Sequence, residues 1–395
     1  MSIENNNDPF FALTEERSDW NACIGKQAHP ESYIDGYMDA ALELVNAVIE
    51  KKQFLKRDTL AMPILYNARH ALELALKHMY DAFVGENIIK TSFGTNHDIR
   101  SYWTLLSSTK LGDTELTQQV KNLEIYVLSL SNIDDDGQEL RYATTRDGKK
   151  SLKDKALCNL VVIRESLLKL QKIISDSKYR LEAFIDERRT KTYTNDLSRK
   201  DIETISKMLP PFNKWRENIF INAKQQIKET YGIGSNKFSD ALDLIKNHRT
   251  MASCLGKESN LAHLTAEKLR SVVQEWKVLH ARNDLEEVGS DLVNLDFEAL
   301  VGHMEKYEEA QNNILQLLSE DEIADLETVF YLGRSALFCE LYEDELARVK
   351  RKYKTDRNLA EAVRHLLEKR NFLEEIVQGV KILGNPTLAK ALEGQ

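Results

Sequence analysis

The sequence predicts an all-α protein, and three observations carry that expectation. Helix breakers are scarce, with 6 prolines and 16 glycines in 395 residues. Apolar residues recur at intervals of three and four over long stretches, without the alternation of a half-buried strand. Capping signals stand where those stretches begin, as in Ser319-x-x-Glu322. Apolar content of 42% with 30% charged residues belongs to an ordinary globular chain rather than a disordered one.

A polar lead-in over residues 1–30 comes first, with Phe10, Phe11 and Trp20 as its apolar docking points. A helix from Glu31 to about Gln53 follows, with Ile34, Met38, Ala41, Leu42, Leu44, Val45 and Val48 on one face. Pro63 to about Val84 forms the central helix. Asn96 is the expected N-cap of a short helix through Leu106, and Asp113 to about Leu130 forms another. Asp134-Asp135-Asp136-Gly137 opens an irregular loop that runs past Gly148. Leu152 to about Thr190 is continuously helix-compatible and ends in a charged run, DERRTKTYTND, which marks the strongest domain boundary.

Past that boundary, Ser198-x-x-Asp201 resembles a capping box, and Pro210-Pro211 breaks the helix it opens. Further helices are expected at Asn213–Tyr231 and over 236–253, 264–281 and 297–317. A last region follows Ser319, with helices over 319–333, 339–354 and 357–382, a candidate break near Lys369, and a short helix after Pro386. The expected organisation is therefore a bundle over 31–192, a second helical region over 198–317 and a third over 318–395. Roughly 100–200 residues per domain makes two or three units natural for this length.

The net charge of −9 discourages indiscriminate binding to nucleic acid and leaves room only for a local basic patch. Cys23, Cys158, Cys254 and Cys339 show no CxxC or Cys/His spacing, which argues against zinc and suits a reducing compartment. No segment approaches ~18 uninterrupted apolar residues. The start, MSIENNNDPFF, lacks a basic stretch followed by an apolar run. A cytoplasmic protein that neither spans a membrane nor is exported is expected.

The central helix carries the chemistry. At about 100° per residue, Tyr66, Arg69, His70, Glu73, Lys77 and Tyr80 share roughly a third of its circumference. Leu65, Ala68, Leu72, Ala75, Leu76, Met79 and Phe83 fill the opposite arc. Arg69–Glu73 and Glu73–Lys77 are i,i+4 pairs, so a self-satisfied charge ladder is one reading. A histidine flanked by an arginine and a carboxylate is also a usual proton-transfer arrangement. Two further elements offer partners: His97 at a helix start, and Arg141 with Tyr142 in the irregular loop.

The run RHALELALKH, then Asn96-His97-Asp98 before a helix bearing Trp103, then Glu139-Leu140-Arg141-Tyr142 ahead of Gly148, resembles one group of bacterial HEPN proteins over residues ~33–190. The resemblance implies an antiparallel helical bundle that often dimerises. It also implies metal-independent ribonuclease activity within toxin–antitoxin or antiphage defence systems. The family's nuclease signature is an arginine followed by four to six residues and a histidine, and no arginine here has that spacing. What remains is a composite site in which Arg69, His70, His97 and Arg141 would act on RNA or a nucleotide. Tyr66, Glu73, Lys77 and Tyr142 would line it, and neither metal nor cofactor is required. The competing expectation is a non-catalytic scaffold or sensor that forms a homodimer or engages a partner protein of the same system.

Other signals are weaker. His280-Ala281-Arg282-Asn283 echoes the same signature, but Glu287 stands where a histidine is wanted. Asn132-x-Asp134-x-Asp136-Gly137 resembles half a calcium loop, with Ala143 in place of the bidentate glutamate. The basic run from Arg348 to Arg357 reads as a solvated helix face beside Glu340, Glu343, Asp344 and Glu345.

Overall fold

The computed structural model describes residues 10–11, 15–25, 29–90, 96–145, 148–153, 155, 157–280, 297–355 and 358–394, with backbone only for 297–301 and 303. The protein is all-α. Among the described residues there is no strand, only one isolated antiparallel bridge between Thr144 and Lys150. Arg282, Asn283 and Glu287 of the second signature echo, and Met1–Pro9 of the lead-in, lie outside the described residues. The chain divides into two compact units, Met1–Ile185 and Asp186–Gln395.

The first unit is built on α1 (Pro30–Glu50) and α2 (Arg57–Gly85), which pack along their lengths. Pro30 at the first turn suits a helix start, because its missing N–H would be unpaired there anyway. The apolar stripe of α1 meets Ile64, Ala68, Leu72, Leu76 and Phe83 of α2 in a single core. α2 begins six residues before the expected Pro63, which sits inside it and costs one intrahelical bond.

Three shorter helices complete the site's surroundings: α3 (Ile99–Ser108), α4 (Thr114–Asn122) and α5 (Glu124–Ile133). The N-cap of α3 is Asp98 rather than the expected Asn96, since Asp98 Oδ1 accepts from the amides of Arg100 and Ser101 at 2.9 and 3.1 Å. The single helix expected over 113–130 is divided at Leu123, whose side chain is fully buried. α6 (Leu160–Arg189) starts eight residues later than the periodicity suggested. Arg180 of α6 binds Asp113 at 2.6 Å, both side chains buried, while Asp113 also caps α4 through the Leu116 amide at 2.7 Å. That carboxylate therefore serves a helix end and an interhelical ion pair at once.

The second unit contains α7 (Arg199–Met208), α8 (Asn218–Tyr231), α9 (Ser235–Asn247) and α10 (Arg249–Cys254), which share one apolar core. A larger core joins α11 (Ala266–His280), α12 (Phe297–Leu317), α13 (Glu320–Arg334), α14 (Tyr342–Thr355), α15 (Leu359–Leu367), α16 (Phe372–Ile382) and α17 (Pro386–Glu393). Both expected capping boxes are formed, at Ser198/Asp201 and Ser319/Glu322. α13 is buried on nearly every side and crosses α16 at two glycines. A Cβ on Gly333 would lie 1.9 Å from the Glu375 carbonyl oxygen, and one on Gly379 would lie 2.1 Å from that of Val329. Backbone meets backbone there.

Candidate functional site

The polar arc of α2 centres on Glu73, which is 2% exposed yet ionically engaged on every side. Arg69 Nη1 donates to its Oε2 at 2.9 Å, and Lys77 Nζ donates to Oε1 at 2.7 Å. These are the i,i+4 rungs that the spacing implied. A third partner arrives from outside the helix, with His97 Nδ1 lying 2.8 Å from Oε1. Burial alone would raise the carboxyl pKa, but Lys77, His97 and Arg69 together hold it below its ordinary value.

The capped start of α3 explains how His97 arrives there. Asp98 anchors the first turn, and the preceding carbonyl, that of His97, accepts from Arg69 Nη2 at 2.6 Å. With an ionised carboxylate opposite it, Nδ1 must carry the imidazole hydrogen. Nε2 is then the ring nitrogen left without this partner, on a side chain that is 65% exposed. The pair presents one ring nitrogen to solvent, with the ring orientation set by Glu73.

Arg69 has a different occupation. Its side chain is buried, and Nε donates to the Asp134 carbonyl at 2.7 Å, while Nη2 also reaches the Asp135 carbonyl at 3.0 Å. It thus fastens the 96–98 segment and the 134–136 turn to α2. The Asp134 carboxylate faces inward and accepts from the amides of Gln138, Glu139 and Leu140 at 2.7, 3.1 and 3.2 Å. Gly137 completes the turn at φ +79, where a Cβ would come within 3.3 Å of Arg69 Nη1.

That turn delivers Arg141. Its Nε donates to the Gly137 carbonyl at 2.5 Å, and its guanidinium lies 5.6 Å from the Tyr66 ring centre and 5.5 Å from that of Tyr142. Tyr66 stacks in turn on His70 at 5.9 Å with the rings 5° from parallel, and Tyr37 of α1 meets His70 edge-on at 4.4 Å. His70 Nδ1 lies 4.0 Å from Glu73 Oε2. Burial lowers the pKa of His70, assisted by Lys77, Arg69 and His97 and opposed by Glu73.

The structure joins Arg69, Lys77 and His97 directly at Glu73, with His70 beside them. Arg141, Tyr66 and Tyr142 form an adjoining aromatic and cationic ledge. Tyr37, Asp134 and Gly137 belong to the arrangement but were not singled out from sequence. Asp134 and Gly137 stood in a half-calcium pattern that pointed elsewhere, and nothing in α1 distinguished Tyr37 from a core aromatic. No family model, curated protein or solved structure matches the chain.

Proposed function

We propose that this site acts on RNA or a nucleotide, as a metal-independent ribonuclease of HEPN-like type working in the cytoplasm within a prokaryotic defence or toxin–antitoxin system. The observation carrying this reading is the Glu73–His97 pair, a buried carboxylate bonded at 2.8 Å to an exposed imidazole. In this reading His97 Nε2 takes the proton of a ribose 2′-hydroxyl, whose oxygen attacks the adjacent phosphorus. The P–O5′ bond breaks, the 5′-oxygen takes a proton from water, and a 2′,3′-cyclic phosphate remains. Lys77 and Arg141 supply charge to the phosphate, Tyr142 and Tyr66 supply ring faces for a base, and Arg69 positions the two loops.

The test is cleavage of an RNA panel in the presence of a chelator. His97→Ala should lower the rate by about 10²–10⁴-fold, the usual contribution of a positioned acid–base group. The substitution is on an exposed side chain, so helical circular dichroism should be unchanged. Cleavage that survives His97→Ala at full rate would sink the catalytic role.

One observation favours the second reading, a non-catalytic scaffold or sensor. Arg69, the arginine nearest the histidines, spends its donors on three carbonyls and a carboxylate instead of facing solvent. RNA or nucleotide that binds at Arg141 and Tyr142 and stays intact, in a homodimer or a complex with a partner protein, is the outcome that selects this reading.

A further inference from the structure

Arg199 at the first turn of α7, His248 before α10, and Cys339 and Glu340 in the 3₁₀ turn Cys339–Leu341 converge within the second unit. His248 Nε2 lies 2.9 Å from Glu340 Oε1, and Cys339 Sγ lies 3.4 Å from both His248 Nε2 and Glu340 Oε2. We propose that His248, Cys339 and Glu340 form a binding site for a zinc-class divalent cation.

The geometry is close to what such an ion needs. Bonds of about 2.0 Å to nitrogen and oxygen and about 2.3 Å to sulfur give tetrahedral edges of about 3.3–3.5 Å. The 2.9 Å nitrogen–oxygen contact is made by Oε1 and the 3.4 Å sulfur–oxygen contact by Oε2, so the carboxylate would turn to offer one oxygen to the ion. Mixed thiol, imidazole and carboxylate donors suit zinc and its neighbours, whereas magnesium and calcium favour oxygen alone. Water would take the fourth position.

The glutamate is held in place from outside the triangle. Arg199 holds Glu340 through Nε at 2.9 Å and Nη2 at 3.1 Å, and its Nη1 reaches Glu203 at 3.4 Å. Lys207 Nζ binds Glu203 in turn at 2.7 Å, so the two carboxylates are matched by two cations, and an entering ion displaces the thiol proton. Arg199 then remains as an outer partner that orients the glutamate.

Two features oppose binding, and both make it observable. Arg199 Nη2 lies 3.5 Å from His248 Nε2, so the guanidinium must stay on its carboxylate and away from the ion. His248 Nδ1 accepts the Met251 amide at 3.2 Å. Ligation through Nε2 moves the ring hydrogen to Nδ1 and releases that amide, one neutral bond against a thiolate and an imidazole ligand. The Met251 amide resonance should therefore shift when the site fills.

The experiment uses the full chain, reduced and freed of metal with a chelator, and cobalt(II) as a spectroscopic stand-in for zinc. A thiolate-to-cobalt absorption band should saturate at one equivalent and vanish in Cys339→Ser. Cys23, Cys158 and Cys254 are exposed, so their simultaneous replacement by serine leaves Cys339 as the single thiol. That triple variant should keep the band and gain melting temperature with zinc. It also decides the matter alone if Cys339→Ser does not fold. Absence of the band from the triple variant overturns the proposal, as does a band that persists in Cys339→Ser.

Discussion

At the scale of single residues, the site depends on side chains whose partners lie far along the chain. The ladder from Arg69 through Glu73 to Lys77 was legible, because i,i+4 spacing on a helix fixes proximity. The reach of His97 to the same carboxylate was not, since the two are 24 residues apart and meet only through tertiary packing. The turn of Arg69 toward three backbone carbonyls was equally hidden, because backbone acceptors leave no mark on composition. Gly137 tests this network. With φ at +79 and Arg69 at 3.3 Å from an added Cβ, Gly137→Ala should cost about 1–2 kcal/mol in urea unfolding. It should also move the Arg141 ledge, read as a weaker affinity for RNA.

At the scale of elements, helix existence followed from periodicity while several boundaries did not. The helix expected over 236–253 is two helices, because His248 adopts an extended conformation and caps the second. Its ring is engaged by Glu340, 92 positions away, so no local pattern announced the break. The crossing of α13 and α16 is similar, since a glycine in a helical run reads as mere weakness until a second backbone is seen against it. Two glycine substitutions should therefore diverge in sign. Gly333→Ala should destabilise by at least about 3 kcal/mol, because the neighbour at 1.9 Å is a carbonyl that cannot swing aside. Gly36→Ala, on the exposed face of α1 with nothing within 4 Å, should stabilise by about 0.5–1 kcal/mol. Denaturation midpoints of the two variants against wild type supply the comparison.

At the scale of the whole molecule, a net charge of −9 sets the terms for any polyanionic ligand. Binding would rest on Lys77 and Arg141 alone, so the logarithm of affinity for single-stranded RNA should fall against log salt with a slope of about −1.4. A slope several times steeper would mean that another surface is engaged. Acid should act on the first unit in two stages. The pKa of His70 is lowered on folding, so its contribution is complete above 6.5 and is lost as pH falls through the folded value. The pKa of Glu73 is lowered too, so its contribution is complete above 4.5 and erodes below it. Amide exchange in α2 from pH 8 to 4 should show both stages, and His70→Gln should remove the upper one. Protection that stays flat between pH 7 and 5 would contradict the assignment.

The role of Arg69 has one more consequence. Arginine is the cationic side chain that keeps its charge at every pH a folded protein meets, whereas histidines and carboxylates change theirs. Here the tether for both loops is an arginine, and the groups it gathers are the ones that exchange protons. In the proposed function, holding and reacting are thus assigned to different chemistries. Whatever proton the proposed reaction passes to His97, Arg69 keeps its hold on the carbonyl beside it, so the imidazole need not change position.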